Sequence, residues 1–156
     1  MSVANPRDLL LQLMAELLWI ERTLYSDVLP KLHDDSHAPD VQLAFTEHRG
    51  ETREHGVRLE AAFRAAGAEP AAARSATLAA AAEQHEQEAK QITSPTLKDA
   101  FHCMGAMRTE HLELALYDAA LHLADGECRK LLEQNRREDA KALERFSAIA
   151  PRPPEA

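Results

Sequence analysis

Prolines fence this sequence into long uninterrupted stretches. They stand at Pro6, Pro30, Pro39, Pro70 and Pro95, and then cluster at Pro151, Pro153 and Pro154. Proline is tolerated in the first turn of a helix but loses a backbone donor and clashes in its interior, so these positions read as helix boundaries. The stretches between them are rich in Ala, Leu, Glu, Gln, Arg and Lys, whereas Val and Ile together number only seven. That stock lacks the β-branched residues of strands and favours helices. Capping residues coincide with the fences. Asn5-Pro6 with Asp8, and later Ser94-Pro95, open helices; Asp125 opens a last one; Gly67, followed by Pro70, closes one. The pattern predicts helices near 6–33, 38–66, 95–123 and 126–148, with a shorter connecting helix in 75–92. The first would span roughly 40 Å at about 1.5 Å per residue. The expected architecture is therefore all-α: an up-down four-helix bundle with an additional connecting helix. It would form one domain over 1–150, followed by a Pro-rich tail at 151–156.

The 156 residues suit a single hydrophobic core. Cys103 and Cys128 are too few for a disulfide framework and form no C-x-x-C spacing. A formal net charge of −8 argues against a nucleic-acid partner, which needs a basic face. No uncharged apolar run reaches membrane-spanning length, and the N-terminus has no secretory pattern, so the expected setting is cytoplasmic and reducing.

The informative residues are polar ones inside apolar stripes. Leu10, Leu13, Met14, Leu17, Leu18, Leu24, Tyr25 and Val28 recur at helical spacing, and Glu21 lies among them. The second helix places His48, Glu51 and His55 in its inward phase, the third Glu110 and Glu113, and the fourth Glu138 with Asp139 beside it. Two carboxylates ~5 Å apart repel by roughly 3 kcal/mol even at an effective dielectric of 20. Several of them inside one bundle must either take up protons or hold cations. Oxygen ligands with a little imidazole suit iron, or manganese, rather than structural zinc, and di-metal bundles draw such ligands from all four helices. The bland readings stand beside this one. Glu21 could pair with an arginine, any single Glu could lie on a solvated face, and His48 or His55 could be hydrogen-bonded core residues. Tyr25 and Tyr117 are expected in the core, and His85 and His111 in solvent or beside a ligand. Trp19, off the stripe, would pack the connecting helix or a partner subunit. Gly50, Gly56 and Gly105 inside helices point to close helix approach or to plain tolerance.

The sequence resembles the YciE/YciF-type family of ferritin-like, rubrerythrin-related proteins. The resemblance is carried by Glu21-Arg-Thr-Leu-Tyr25 after Glu16-Leu17-Leu18, and by Glu47-His48, Glu51-Thr52 and Arg58-Leu59-Glu60. Glu110-His111-Leu112-Glu113 reaching Tyr117, Leu131-Leu132-Glu133 and Glu138-Asp139 complete it, so that it covers about residues 8–147. It implies a dimeric, cytoplasmic, stress-associated bundle with two iron ions. Glu21, Glu51, Glu110, Glu113 and Glu138 would be its carboxylate ligands, and His48 or His55 its nitrogen. The implied chemistry is ferrous binding and reaction with oxygen or peroxide, a ferroxidase- or peroxidase-like activity. The last helix departs from the pattern, with Glu138-x-x-Lys141 where Glu-x-x-His is expected. That departure favours the alternative, a metal-free helical interaction bundle.

Overall fold

The computed structural model describes residues 2–152, so residues 153–156 of the expected tail lie outside the described residues. Helices are the only regular elements among them: α1 (Pro6–Thr23), a π turn (Leu24–Val28), α2 (Leu29–Asp34), α3 (Pro39–Ala65), α4 (Ala76–Ala89), α5 (Pro95–Leu123) and α6 (Gly126–Ile149). The caps explain most of these limits. Asn5 accepts from the Asp8 N–H and Ser94 from the Leu97 N–H. Gly67, at φ +73°, ends α3 in a Schellman turn, with the Ala68 N–H bonded to the Phe63 carbonyl. Asp125 precedes α6 but its side chain makes no capping bond, contrary to expectation. The start of α3 is capped from a distance, because Asp99 on α5 accepts the N–H groups of His37 and Ala38.

α1 continues into α2 through the π turn, where the Leu29 N–H reaches back to Leu24. The next residue is Pro30, which has no N–H to give, so a carbonyl one turn back loses its partner. The Arg49 guanidinium fills that role, donating to the Tyr25 carbonyl at 2.9 Å and lying 4.6 Å over the Tyr25 ring. The wider turn also shifts the helical phase. Tyr25, expected in the core, is 36% exposed.

α1 packs against α3 and α5, and α6 against α3 and α5, which closes a ferritin-like four-helix bundle. Contacts such as Arg7 with the Ala66 carbonyl, Arg136 with Asp118 and Arg145 with Glu51 show neighbouring helices running antiparallel. The 66–94 connection runs back along the bundle and carries α4, the expected additional helix. It is tied midway by the Ser75 hydroxyl, which donates to Glu16. The core has two parts. One gathers Leu10, Met14, Leu17, Leu59, Phe63 and Leu132; the other Ile20, Leu24, Val41, Phe45, Cys103 and Phe146. Both cysteines are free and buried, as expected of ordinary thiols. A polar layer separates the two parts.

Candidate metal centre

That layer draws one or more ionisable side chains from each of the four long helices. Glu21 of α1, His48 and His55 of α3, Glu110 and Glu113 of α5, and Asp139 of α6 are all essentially inaccessible. The α3 set follows from a stepping of four and three residues through buried positions: Val41, Phe45, His48, Thr52, His55, Leu59 and Ala62. α6 steps the same way through Cys128, Leu132, Asn135, Asp139, Ala142 and Phe146. Side chains seven apart on such a stepping share one face.

The cluster is short of hydrogen-bond donors. Both oxygens of Glu110, Glu113 and Asp139, and Oε2 of Glu21, are buried without a hydrogen bond. The imidazoles lie close without aligning their N–H groups: His48 Nε2 is 2.6 Å from Glu110, and His55 Nδ1 is 3.3 Å from Glu21 and 3.2 Å from Asp139. Tyr117 donates to Glu21 at 2.9 Å and itself accepts from Asn135, whose amide also holds the His55 carbonyl. Two sets of ligand atoms fall within 4.8 Å of one another: Glu21, His55 and Asp139, and Glu110, Glu113 and Asp139. Asp139 belongs to both.

Protons record the strain of this assembly. Burial lifts the Glu113 carboxyl well above the usual range, with Glu21, Asp139 and Glu110 adding to it. Burial and the charges of Glu110 and Glu21 lift Asp139 in the same direction. Burial alone would lower His48, but Glu110 and Glu51 outweigh it and raise the imidazole to about 10. His55 also rises, its burial outweighed chiefly by Glu21. Burial raises the Tyr117 phenol well above its ordinary value, again with help from Glu21. The metal-free cluster therefore stores protons on groups that would otherwise be charged acids or neutral bases.

Among the residues singled out in the sequence, the structure gathers Glu21, His48, His55, Glu110 and Glu113. Glu51 and Glu138 stand at the rim instead, with side chains 35% and 32% exposed. Glu51 accepts from Arg145 at 3.1 Å and lies 3.2 Å from His48 Nδ1, which holds its carboxyl down at about 2 against the opposing effect of burial. Glu138 pairs with Arg58 and faces His55 Nε2 at 3.1 Å. Each rim carboxylate thus contacts the outer nitrogen of a buried histidine. The acid of α6 that reaches the interior is Asp139, and its seven-residue spacing from Leu132 and from Phe146 is the signal that marks it. Glu21 faces histidine and tyrosine, not an arginine. His111 is exposed, while His85 lies apart from the cluster in a network of its own.

Fold and site together define a four-helix bundle with a buried carboxylate–histidine layer. The family model of the domain of unknown function DUF892 matches residues 5–155, and the chain belongs to that family. Two solved structures share the fold. One is the E. coli stress protein YciF, at 21% identity and TM-score 0.87, covering 95% of this chain and 96% of that one. The other is YcfI of Rhodopseudomonas palustris, provisionally described as structural, at 23% identity and TM-score 0.92, covering 96% and 97%. The YciF-type resemblance read from the sequence therefore stands. No curated protein matches the sequence.

Proposed function

We propose that the buried layer is a two-metal centre, with iron as the native metal and manganese as an alternative occupant. The observation that supports this most directly is the set of carboxyl oxygens on Glu110, Glu113 and Asp139 that are buried without an aligned hydrogen bond, only the edges of His48 and His55 lying near Glu110 and Asp139. A buried acid must either keep its proton or bear several kcal/mol of desolvation when ionised, and a cation relieves both by using the oxygens as ligands. Glu21, His55 and Asp139 would hold one ion, and Glu110 and Glu113, with Asp139 shared, the other. His48, in contact with Glu110, is the further nitrogen available. The donor set, mostly oxygen with two imidazoles, fits iron or manganese.

Bound iron would supply Lewis acidity and one-electron chemistry toward oxygen or peroxide. This chain's own groups prepare that site. Asn135 and Tyr117 fix Glu21, and the rim pairs Glu51–Arg145 and Glu138–Arg58 orient the two histidines from outside. Protons stored on Glu113, Asp139, His48 and His55 would leave as metal arrives. The resemblance adds a homodimer and a cytoplasmic, stress-associated role to the proposal. Among the described residues no helix is long and apolar enough to cross a membrane.

Anaerobic titration of ferrous or manganous ion tests the reading. The expected result is binding with release of more than one proton per chain, measured calorimetrically in buffers of different ionisation enthalpy. Absence of binding in the wild type would refute it and leave the metal-free interaction bundle.

A further inference from the structure

We infer that the groove beneath α4 is the access route by which a small uncharged molecule of dioxygen's size reaches the carboxylate–histidine cluster. The purpose of the route rests on the proposed metal centre, but its existence rests on geometry alone. The groove, of about 1030 Å³, lies between α4, α5 and the α1–α2 segment, with Trp19, Leu78 and Leu112 in its walls. A second, much smaller space of about 10 Å³ is lined by Leu24, Leu29 and Ala106 and by His48 and Glu110 of the cluster. Val28, Leu32 and Thr109 line both spaces, so these three residues form the partition between groove and cluster. A space of that size holds about one water-sized molecule.

The partition favours a neutral molecule. Leu24, Val28, Leu29, Leu32 and Ala106 offer an ion nothing in exchange for its hydration, and the polar lining of the inner space is confined to Thr109 and to His48 and Glu110 of the cluster itself. Lysines at the groove mouth are already paired, Lys31 with Asp27 at 3.0 Å, Lys98 with Asp35 at 3.5 Å and Lys90 with Glu86 at 3.4 Å. On the opposite side the α3–α6 seam is closed by the ion pairs of Arg145 with Glu51 and Arg58 with Glu138. The π turn contributes Leu24 and Val28 to the inner walls, at the point where the phase of α1 shifts.

A clasp holds α4 in place over this route. The His85 ring stacks on Phe101 with centroids 4.3 Å apart and planes 3° apart. Its Nε2 meets His102 Nδ1 at 2.9 Å, and His102 Nε2 meets Asp35 at 2.9 Å. A Cβ on Gly105 would come within 2.5 Å of the His85 ring, so glycine there is what admits the clasp. α4 otherwise buries only Leu78 and Ala89, and a cover held this sparingly can open locally without unfolding the bundle.

Dissolved dioxygen is the probe. In metal-free, methyl-labelled protein under oxygen pressure, paramagnetic relaxation at the methyls of Leu24, Val28, Leu32 and Ala106 should exceed that at Leu17, Leu59 and Leu132 several-fold. Thr109→Leu, with Val28→Phe as a second obstruction should the first fail to fold, should cut relaxation at Leu24 and Ala106 at least threefold. In the same variants ferrous oxidation should slow about tenfold, with anaerobic ferrous binding unchanged. Equal relaxation in both parts of the core, or obstructed variants that oxidise iron at the wild-type rate, would overturn the route. Wild-type protein that binds no iron would defeat the metal proposal alone, and the relaxation measurement would still decide the route.

Discussion

Asp139 joins the two halves of the buried cluster. It is fully buried, 3.2 Å from His55, and shares ligand distance with Glu21 on one side and with Glu110 and Glu113 on the other. Asp139→Asn keeps the shape and removes the need to hold a proton. The metal-free protein should gain about 1–3 kcal/mol at neutral pH, because the amide is neutral in both states whereas the buried acid must take up a proton on folding. Metal affinity should fall by roughly 100-fold or more, because both ligand sets lose an anionic oxygen. Melting with and without manganous ion measures both effects. Glu51→Gln is the contrasting change. Glu51 touches His48 from outside, so its loss should weaken metal binding only about tenfold. Equal losses in the two variants would contradict the placement of Glu51 at the rim. Glu51 and Asp139 also show how one step along a helix decides burial. Glu21, His48, His55, Glu110 and Glu113 share a phase with apolar neighbours on either side, and they lie buried. Glu51 and Glu138 are one position off the four-and-three stepping, a difference of about 100° around a helix.

The π turn and α4 are the two elements that depart from regular packing. Pro30 can follow an unbroken α1 only because the preceding turn widens and Arg49 takes the stranded Tyr25 carbonyl. Composition announced a proline near a helix end; it did not announce a wider turn, which depends on a side chain 24 residues away. α4 is tethered by the His85 clasp and by little apolar burial. Gly105→Ala should therefore expel His85 from its slot. Amide exchange in α4 should quicken by about an order of magnitude, while α1, α3, α5 and α6 keep their protection and global stability changes by less than about 1 kcal/mol. Loss of protection throughout the bundle would contradict the clasp. Gly50 and Gly56 meet nothing within 4 Å of a would-be Cβ, so for them tolerance is the sufficient explanation.

Summed over the molecule, these groups set a pH dependence with a definite sign. The raised His48 contributes stability that is complete below its ordinary 6.5 and is lost as pH climbs toward about 10. Glu113 and Asp139, held protonated mainly by burial, likewise favour the folded chain at low pH and cost stability as pH rises above about 4. Glu51 acts the other way: its contribution is present above 4.5 and is lost as pH falls toward about 2. The metal-free protein should be most resistant to urea near pH 4 to 4.5, where Glu51 is already ionised and Glu113 and Asp139 cost least, and weaken on the alkaline side, more steeply above 6.5 where His48 adds its loss. Manganous ion, which binds the deprotonated ligands, should move the maximum to higher pH. Urea midpoints across pH, with and without the ion, measure the shift, and a maximum that stays put would count against metal in the cluster.

The four long helical stretches, the connecting helix and most of their limits were legible in the chain, though not the π turn that divides the first stretch, because proline, capping residues and helix-favouring composition act locally and need no partner. So was the conflict of buried acids, since any bundle of these amphipathic stripes brings their inward faces together. Which acid of α6 meets α1 and α5, how Asp99 caps α3, and why His85 needs Gly105 are matters of contact between segments far apart in sequence. Those contacts depend on the rotation and depth at which each helix settles against its neighbours, and packing of the whole core sets both.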